Sequence, residues 1–292
     1  MNVFQRRKKM RKIAITLVIL VLVGATLACS FTIDTDNVKL GETQVLDINE
    51  PVPADLAGAR VEIEMGAGKL NVAGGARGLV EGTITYNVFG WTPEVTRSDG
   101  SVSILQGRLE DIKVPNKDVV NDWDLLLGAF PTDLEISAGA YEGLIDLSGV
   151  ALTNLKITDG ASKATVEFNS PNPVTMESFS YKTGASQVKI YGIGNANTPQ
   201  FTFDGGAGDY TLDFSGTLKQ DMAAKVTSGV SKIEIIIPEN VPARVTISGG
   251  LNNVAPSGTW SITGSVYEKT GTGPRIDITI DMGVGSLDLI SQ

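Results

Sequence analysis

The chain has 292 residues, 42% of them apolar, with 33 glycines, no histidine and a single cysteine, and its net charge is −9. Core size is therefore not limiting. An intrachain disulfide is excluded, as are a Ser-His-Asp triad, a Cys-His pair and a histidine metal site. The glycine follows no collagen period and belongs to turns.

Residues 1–28 are a separate object. "MNVFQRRKKMRK" carries six of the 24 basic residues and no acid, and "IAITLVILVLVGA" follows as an apolar run. A basic head and a short apolar run form an export signal. "TLACS" then places Ala28 before Cys29. This resembles the lipobox of bacterial lipoproteins, which implies cleavage ahead of Cys29, acylation of that residue and membrane attachment through its lipid. The alternative is an uncleaved anchor, because residues 13–33 are just long enough to span a bilayer. Both readings place the remainder outside the cytoplasm. Removing the six positive charges of the leader takes the net charge from −9 to −15. So acidic a body, with no basic stripe, is repelled by phosphate backbones, so nucleic acid is not an expected partner.

Beyond the leader, "VEIEMGAGKLNV" holds a glycine flanked by alternating residues, and "VEGTITYNVFGWTPEVT" and "GSVSILQG" read as further strands. Residues 107–131 are charged and irregular. They place a boundary near 118, giving an N-terminal β domain over 29–118 that caps a repeat domain over 119–292.

The repeat is a glycine phrase: "SAGAYEGLIDL", "DGASKATVEF", "KTGASQVKIY", "DGGAGDYTLDF", "TSGVSKIEIII" and "DMGVGSLDLI". Its glycines are Gly66, Gly139, Gly160, Gly184, Gly206, Gly229, Gly250 and Gly283. Five and three residues before them stand Val61/Ile63, Leu134/Ile136, Leu155/Ile157, Phe179/Tyr181, Phe201/Phe203, Ala224/Val226, Val245/Ile247 and Ile278/Ile280. Four and six residues after them stand Leu70/Val72, Ala164/Val166, Val188/Ile190, Tyr210/Leu212, Ile233/Ile235 and Leu287/Leu289. Period-two alternation on both sides of a glycine predicts strands with one buried face. The glycine is expected to bend the chain with φ > 0, and the Ala, Val or Leu that follows it to point into the corner. From Gly139 onward the spacings are 21, 24, 22, 23, 21 and 33 residues. One unit cannot bury its own face, so units must stack. The fold expected is all-β, a solenoid of about 22-residue glycine-cornered coils with an N-terminal cap. The 33-residue step leaves room for an extra hairpin in "GTWSITGSVYEKTGTGPRIDITI".

"VEIEMGAGKLNVAGGARGLVEGTITYN" resembles the N-terminal domain of the toast-rack family. "NDWDLLLGAFPTDLEISAGAYEGLIDLSG" and "IDITIDMGVGSLDLI" resemble the β-helical domain beside it, which is related to bacterial adhesin domains and to the extracytoplasmic part of cell-wall-antibiotic-response proteins. The resemblance spans roughly 45–292 and implies a right-handed β-helix-like stack at the cell envelope. It implies no catalytic residues and no cofactor. The lipoprotein start departs from members anchored by several membrane helices.

Candidate chemistry is thin. Ser186-Gln-Val-Lys189, with Lys182-Thr-Gly184 and Lys269-Thr-Gly271, has the spacing of penicillin-recognising serine enzymes. Those enzymes place Ser and Lys one helical turn apart, whereas residues three apart in a strand diverge. "GGAGDYTLD" is off by one place from the calcium nonapeptide and does not recur, and Asp159, Asp204 and Asp281 stand near successive corners, where Ca²⁺ or turn amides would take them. A polysaccharide lyase would use an outward base such as Lys69, Lys156, Lys163, Lys225 or Lys232. Stacking sets Lys156 above Glu135, which reads as a cross-rung charge pair. The expected protein is a non-enzymatic envelope lipoprotein, displaying a surface for adhesion or for an envelope polysaccharide or protein. The alternatives are a lyase-like enzyme and an envelope-stress sensor.

Overall fold

The computed structural model describes residues 40–107 and 118–292, apart from 53, 56 and 99. The leader and Cys29 lie outside the described residues, as do 108–117 of the irregular stretch.

The described chain is all-β but for one short 3-10 turn, Ile193–Ala196. In chain order come β1 (Leu40–Glu50), β2 (Ala59–Ala76), β3 (Val80–Val88), β4 (Glu94–Ser98), β5 (Ser101–Leu105), β6 (Asn121–Gly128), β7 (Thr132–Asp146) and β8 (Leu152–Glu167). They are followed by β9 (Phe179–Tyr191), β10 (Gln200–Asp213), β11 (Met222–Ile237), β12 (Ala243–Ser257), β13 (Ser261–Thr263), β14 (Val266–Lys269) and β15 (Ile276–Ser291). One mixed sheet takes them in the order β1-β3-β6-β2-β7-β8-β9-β10-β11-β15-β12-β14-β13, with β5 beside β2 and β4 beside β5.

From β2 to β12 the neighbours are parallel and in register. The alternating residues expected to face inward on both sides of each glycine are all buried, from Val61 and Ile63 in β2 to Leu287 and Leu289 in β15. The physical reason is the pleat: alternate residues of a strand share a face, and stacking identical patterns makes that face continuous.

Two features of the order were not in the repeat. β15 lies between β11 and β12, so the final rungs are not stacked in chain order. The expected extra hairpin is present as β13–β14, and β14 pairs antiparallel with only Ala243–Thr246 of β12. Past Ile247, the outer edge of β12 pairs with no strand among the described residues, and Pro256 there removes one N–H from that edge.

At the other end, β5 and β6 both run parallel to β2, one against its first half and one against its second. They are two halves of one rung. Leu105 and Asp122 align with Glu64 and Lys69, so seventeen positions separate them where five suffice in β2. The extra residues fall between Leu105 and Asp122, and the stretch expected to be irregular is corrected in part, since Asn121–Gly128 is strand β6. The exposed corner of β2 is covered instead by side chains. Gln106 Oε1 accepts from the N–H groups of Gly66 and Ala67, and Asn121 Nδ2 donates to Ala67 O. Asn121 in turn accepts from Trp123 Nε1 at 2.8 Å. Nearby, Glu50 is 1% exposed and is clamped by Arg97 of β4 through two guanidinium N–H groups.

Candidate functional site

The glycine corners stack into a column, Gly66, Gly139, Gly160, Gly184, Gly206, Gly229, Gly283 and Gly250 in spatial order. At each glycine after the first, a Cβ would fall within 3.0 Å of the carbonyl oxygen of the preceding glycine in that series. None of the eight has a positive φ, which corrects the expectation of left-handed corners. Strand geometry runs through each of them, and what demands glycine is space for the neighbouring backbone. The residue after the glycine is corrected as well. Ala140, Ala161, Ala185 and Ala207 are exposed, and Val230 and Val284 are 62% and 46% exposed. The Gly-Ala pair faces out, so the residues on either side of it face in.

Those inward neighbours form a polar column in the middle rungs. Asp159, 6% exposed, accepts at Oδ2 from Tyr181 OH at 2.7 Å and Ser162 Oγ at 3.1 Å. At Oδ1 it accepts from the Thr183 hydroxyl and from Ser186 Oγ at 3.3 Å. The Thr183 and Ser186 hydroxyls are 2.5 Å apart, and Ser186 Oγ also accepts from the Ser162 N–H at 2.8 Å. Tyr141 OH lies 3.4 Å from Tyr181 OH. Four hydroxyls surround the carboxylate, and because the Thr183–Ser186 bond uses one of that pair's two protons, three donate to it at a time; the group is held as a structural acceptor. Burial pushes the phenols of Tyr141 and Tyr181 up, and in Tyr181 the charges of Tyr141 and Asp159 add to it. Tyr210 OH is buried with no partner among the described residues, and burial, then the charges of Asp159 and Asp204, push it up to about 12.

Tyrosine placement follows a swap that the repeat obscured. In β7 the ring of Tyr141 lies where a side chain at Gly143 would go. In β10 the glycine and the tyrosine trade places: a Cβ at Gly205 or Gly208 would fall 2.6 Å or 2.9 Å from Tyr210. Reading the positions one before and two after each corner glycine as columns (Asp159, Thr183, Ser228; Ser162, Ser186, Ser231) would have exposed this interior ladder in the sequence. Ser228 and Ser231 continue it at 2.8 Å.

Ser186 faces in and Lys189 faces out, so they do not converge. Asp204 accepts from Thr227 Oγ1 at 3.0 Å and sits 3.9 Å from Lys182, while Asp281 is exposed. No cluster of three or more His, Cys, Asp or Glu side chains suits a metal ion among the described residues.

The outward charges pair across rungs. Arg60 reaches Asp133 at 3.1 Å and also Glu135, which Lys156 meets at 2.7 Å as its stacking requires. The hydrogen bond from Lys156 holds the Glu135 carboxyl below the usual carboxylate value, with the Lys156 and Arg60 charges helping and burial opposing. Lys163 meets Glu142 and Lys232 meets Asp288, each at 3.5 Å. Lys69 and Lys225 form no ion pair among the described residues. Lys69, Glu142 and Lys163 line a shallow groove across β2, β7 and β8.

A stack of parallel strands on one long mixed sheet, closed over a buried apolar interior, defines an all-β protein. The family described as the N-terminal domain of toast_rack, DUF2154, matches residues 34–191. The chain belongs to that family. Among solved structures it is similar to a candidate cell adhesion protein from Clostridium sporogenes ATCC 15579, at 20% identity and TM-score 0.49, over 86% of this chain and 99% of that one. It is also similar to a candidate adhesin from Bacteroides fragilis NCTC 9343, at 11% identity and TM-score 0.36, over 85% and 97%. A candidate lipid binding protein from Parabacteroides distasonis ATCC 8503 matches at 10% identity and TM-score 0.33, over 86% and 97%. No curated protein matches the chain.

Proposed function

We propose that this is a non-enzymatic protein of the bacterial cell envelope, held to the membrane by lipid on Cys29, whose strand stack presents a rigid surface for adhesion or contact with an envelope polymer. In this reading each strand, corner and strand is one coil of a right-handed β-helix-like solenoid over 119–292, capped by the N-terminal β domain over 29–118. Register offsets of 21, 24, 22 and 23 residues from Leu134 through Leu155, Phe179 and Phe201 to Ala224 support the coil.

The observation that carries the functional reading is the outer surface. Three of the five candidate bases lie against acids of the neighbouring rung, as Lys156–Glu135, Lys163–Glu142 and Lys232–Asp288, and Arg60 lies against Asp133. Such a surface is a fixed charge pattern, and a base already bound to a carboxylate is poorly placed for proton abstraction. Two experiments test it. Cells fed a fatty-acid analogue should label wild type and not Cys29→Ala; equal labelling ends the lipid anchor. The full-length protein screened against envelope polysaccharides should bind without turnover, and turnover abolished by Lys163→Ala or Lys232→Ala ends the non-enzymatic reading.

A further inference from the structure

Phe89 is 81% exposed, the most exposed large apolar side chain among the described residues, while every other described phenylalanine is buried or half-buried. It stands at the tip of a turn. The Trp91 N–H donates to Val88 O at 3.1 Å, and Gly90 takes the φ of 94° that the third position of a type II turn requires.

The turn is braced from below. Val88 and Trp91, on either side of the tip, are both buried. A Cβ at Gly107 would lie 2.6 Å from the carbonyl oxygens of Gly90 and Thr92, so the chain leaving β5 packs closely on the turn. Asn87 ties it to the entry of β6. The Asn87 N–H donates to Val120 O at 3.1 Å and Nδ2 to Asp118 O at 2.8 Å, while Oδ1 accepts from the Val120 N–H at 2.8 Å. A ring carried on so fixed a base loses little freedom on entering an apolar medium.

The surroundings are uncharged. The run "YNVFGWTP" at 86–93 has no charged residue, in a chain where 20% are charged. Beside the turn is Leu40, half exposed, which pairs with Val88 across β1 and β3. Single exposed apolar side chains are ordinary; the place of this one gives it meaning. The described chain begins at Leu40, and only residues 30–39 separate it from Cys29. At about 3.6 Å per residue that tether reaches no further than roughly 40 Å. Whether the anchor is lipid on Cys29 or an uncleaved span over 13–33, its tether ends at the residue beside the Phe89 turn.

We propose that the Phe89–Gly90 turn is a second membrane contact, with the Phe89 ring seated at the headgroup–acyl boundary of a lipid bilayer and Leu40 at its margin. This rests on the membrane attachment proposed above and adds an orientation to it: the end of the sheet where β1 begins and β3 ends faces the bilayer. The chain beyond the leader carries a net charge of −15, six positive charges below the −9 of the whole, and is repelled by anionic headgroups. The surface that fits the turn is therefore zwitterionic, and the contact is apolar.

The test uses the full-length protein in phosphatidylcholine vesicles, with lipid brominated on its acyl chains as the quencher from within and acrylamide as the quencher from water. Phe89→Trp and Ile262→Trp are each compared with wild type. Ile262, 52% exposed, lies on β13 at the far end of the strand order, and both positions are exposed, so the core is untouched. Phe89→Trp should add blue-shifted emission that brominated lipid quenches and acrylamide reaches poorly. Ile262→Trp should add emission that acrylamide quenches and brominated lipid leaves alone. Equal response of the two variants to either quencher overturns the proposal. Flotation of the vesicles on a density gradient reads the attachment separately. Protein that floats while Phe89→Trp stays unquenched overturns the turn contact alone, and protein that does not float overturns the attachment and the contact with it.

Discussion

The middle and final rungs fill one template in two ways. From β8 to β10 the interior is aromatic. Phe168, Phe179, Phe201 and Phe214 meet edge to face at 5.0–5.8 Å, while Tyr181 stacks on Phe203 and Phe203 meets Tyr210 edge-on. In β11, β15 and β12 the same positions hold Val226, Ile233, Ile278, Ile280, Leu287 and Val245. Rings fill volume but bring hydroxyls that must be satisfied. The Asp159 network accordingly occurs where the tyrosines are. The aliphatic rungs need no such network, and their vulnerability lies in connectivity, because β15 must enter between two strands that precede it in the chain.

The comparison breaks most severely if β15 is removed. Deleting 276–292 opens one edge of β11 and one of β12, and size-exclusion chromatography with thermal melting should find oligomers and no cooperative transition; a monomer that still melts cooperatively would mean the final rungs are dispensable. Next, urea unfolding of Phe201→Ala should lose about 3–5 kcal/mol, against about 0.5–1.5 kcal/mol for Ile278→Val in the aliphatic rungs. Equal losses would erase the distinction between the two interiors.

The corner column comes third. Gly184→Ala should cost about 1–3 kcal/mol through overpacking, and Gly184→Asn should be no better, since the demand is for space rather than for φ > 0. Rescue by asparagine would restore the left-handed corner. Alkaline pH then separates the regions. Tyr141 and Tyr181 keep their protons in the fold above the value at which the unfolded chain releases them, so their contribution is whole below about pH 10 and falls as pH rises from there, by about 1.4 kcal/mol per unit for each phenol. Tyr181→Phe should flatten that fall, as followed by melting temperature between pH 9 and 11. The smallest effect belongs to the outer face. Lys156→Ala should cost about 0–1 kcal/mol; because the Glu135 carboxyl is depressed, that cost is present above the usual carboxylate value and vanishes as pH falls through the folded one. A cost unchanged by acid would assign it to packing of the lysine stem.

Much of this was legible in the sequence. Alternation around each glycine located the buried face from Val61 to Leu289, and rung stacking paired Lys156 with Glu135, because both follow from the pleat alone. Other features depend on what lies in the next rung. The repeat marked a special backbone position at Gly184 but could not say that the oxygen of Gly160 presses on it. Nor could it order the rungs, since β12 and β15 carry equivalent patterns and either fits beside β11. The rung split between β5 and β6 was hidden by its insertion. Cys29 lies outside the described residues, so the anchor rests on its sequence alone.

The position of β15 also sets a timetable. A ribosome finishes Ile237 of β11 well before Ser291 of β15, and 54 residues at roughly 5–20 per second take roughly 3–11 s. Throughout that interval the strand that belongs beside β11 is not yet made, so the seat stands open to β12 of the same chain and, equally, to a finished β15 from a second molecule. Crowded synthesis therefore favours exchange of this strand between copies, and sparse synthesis favours each chain closing on itself.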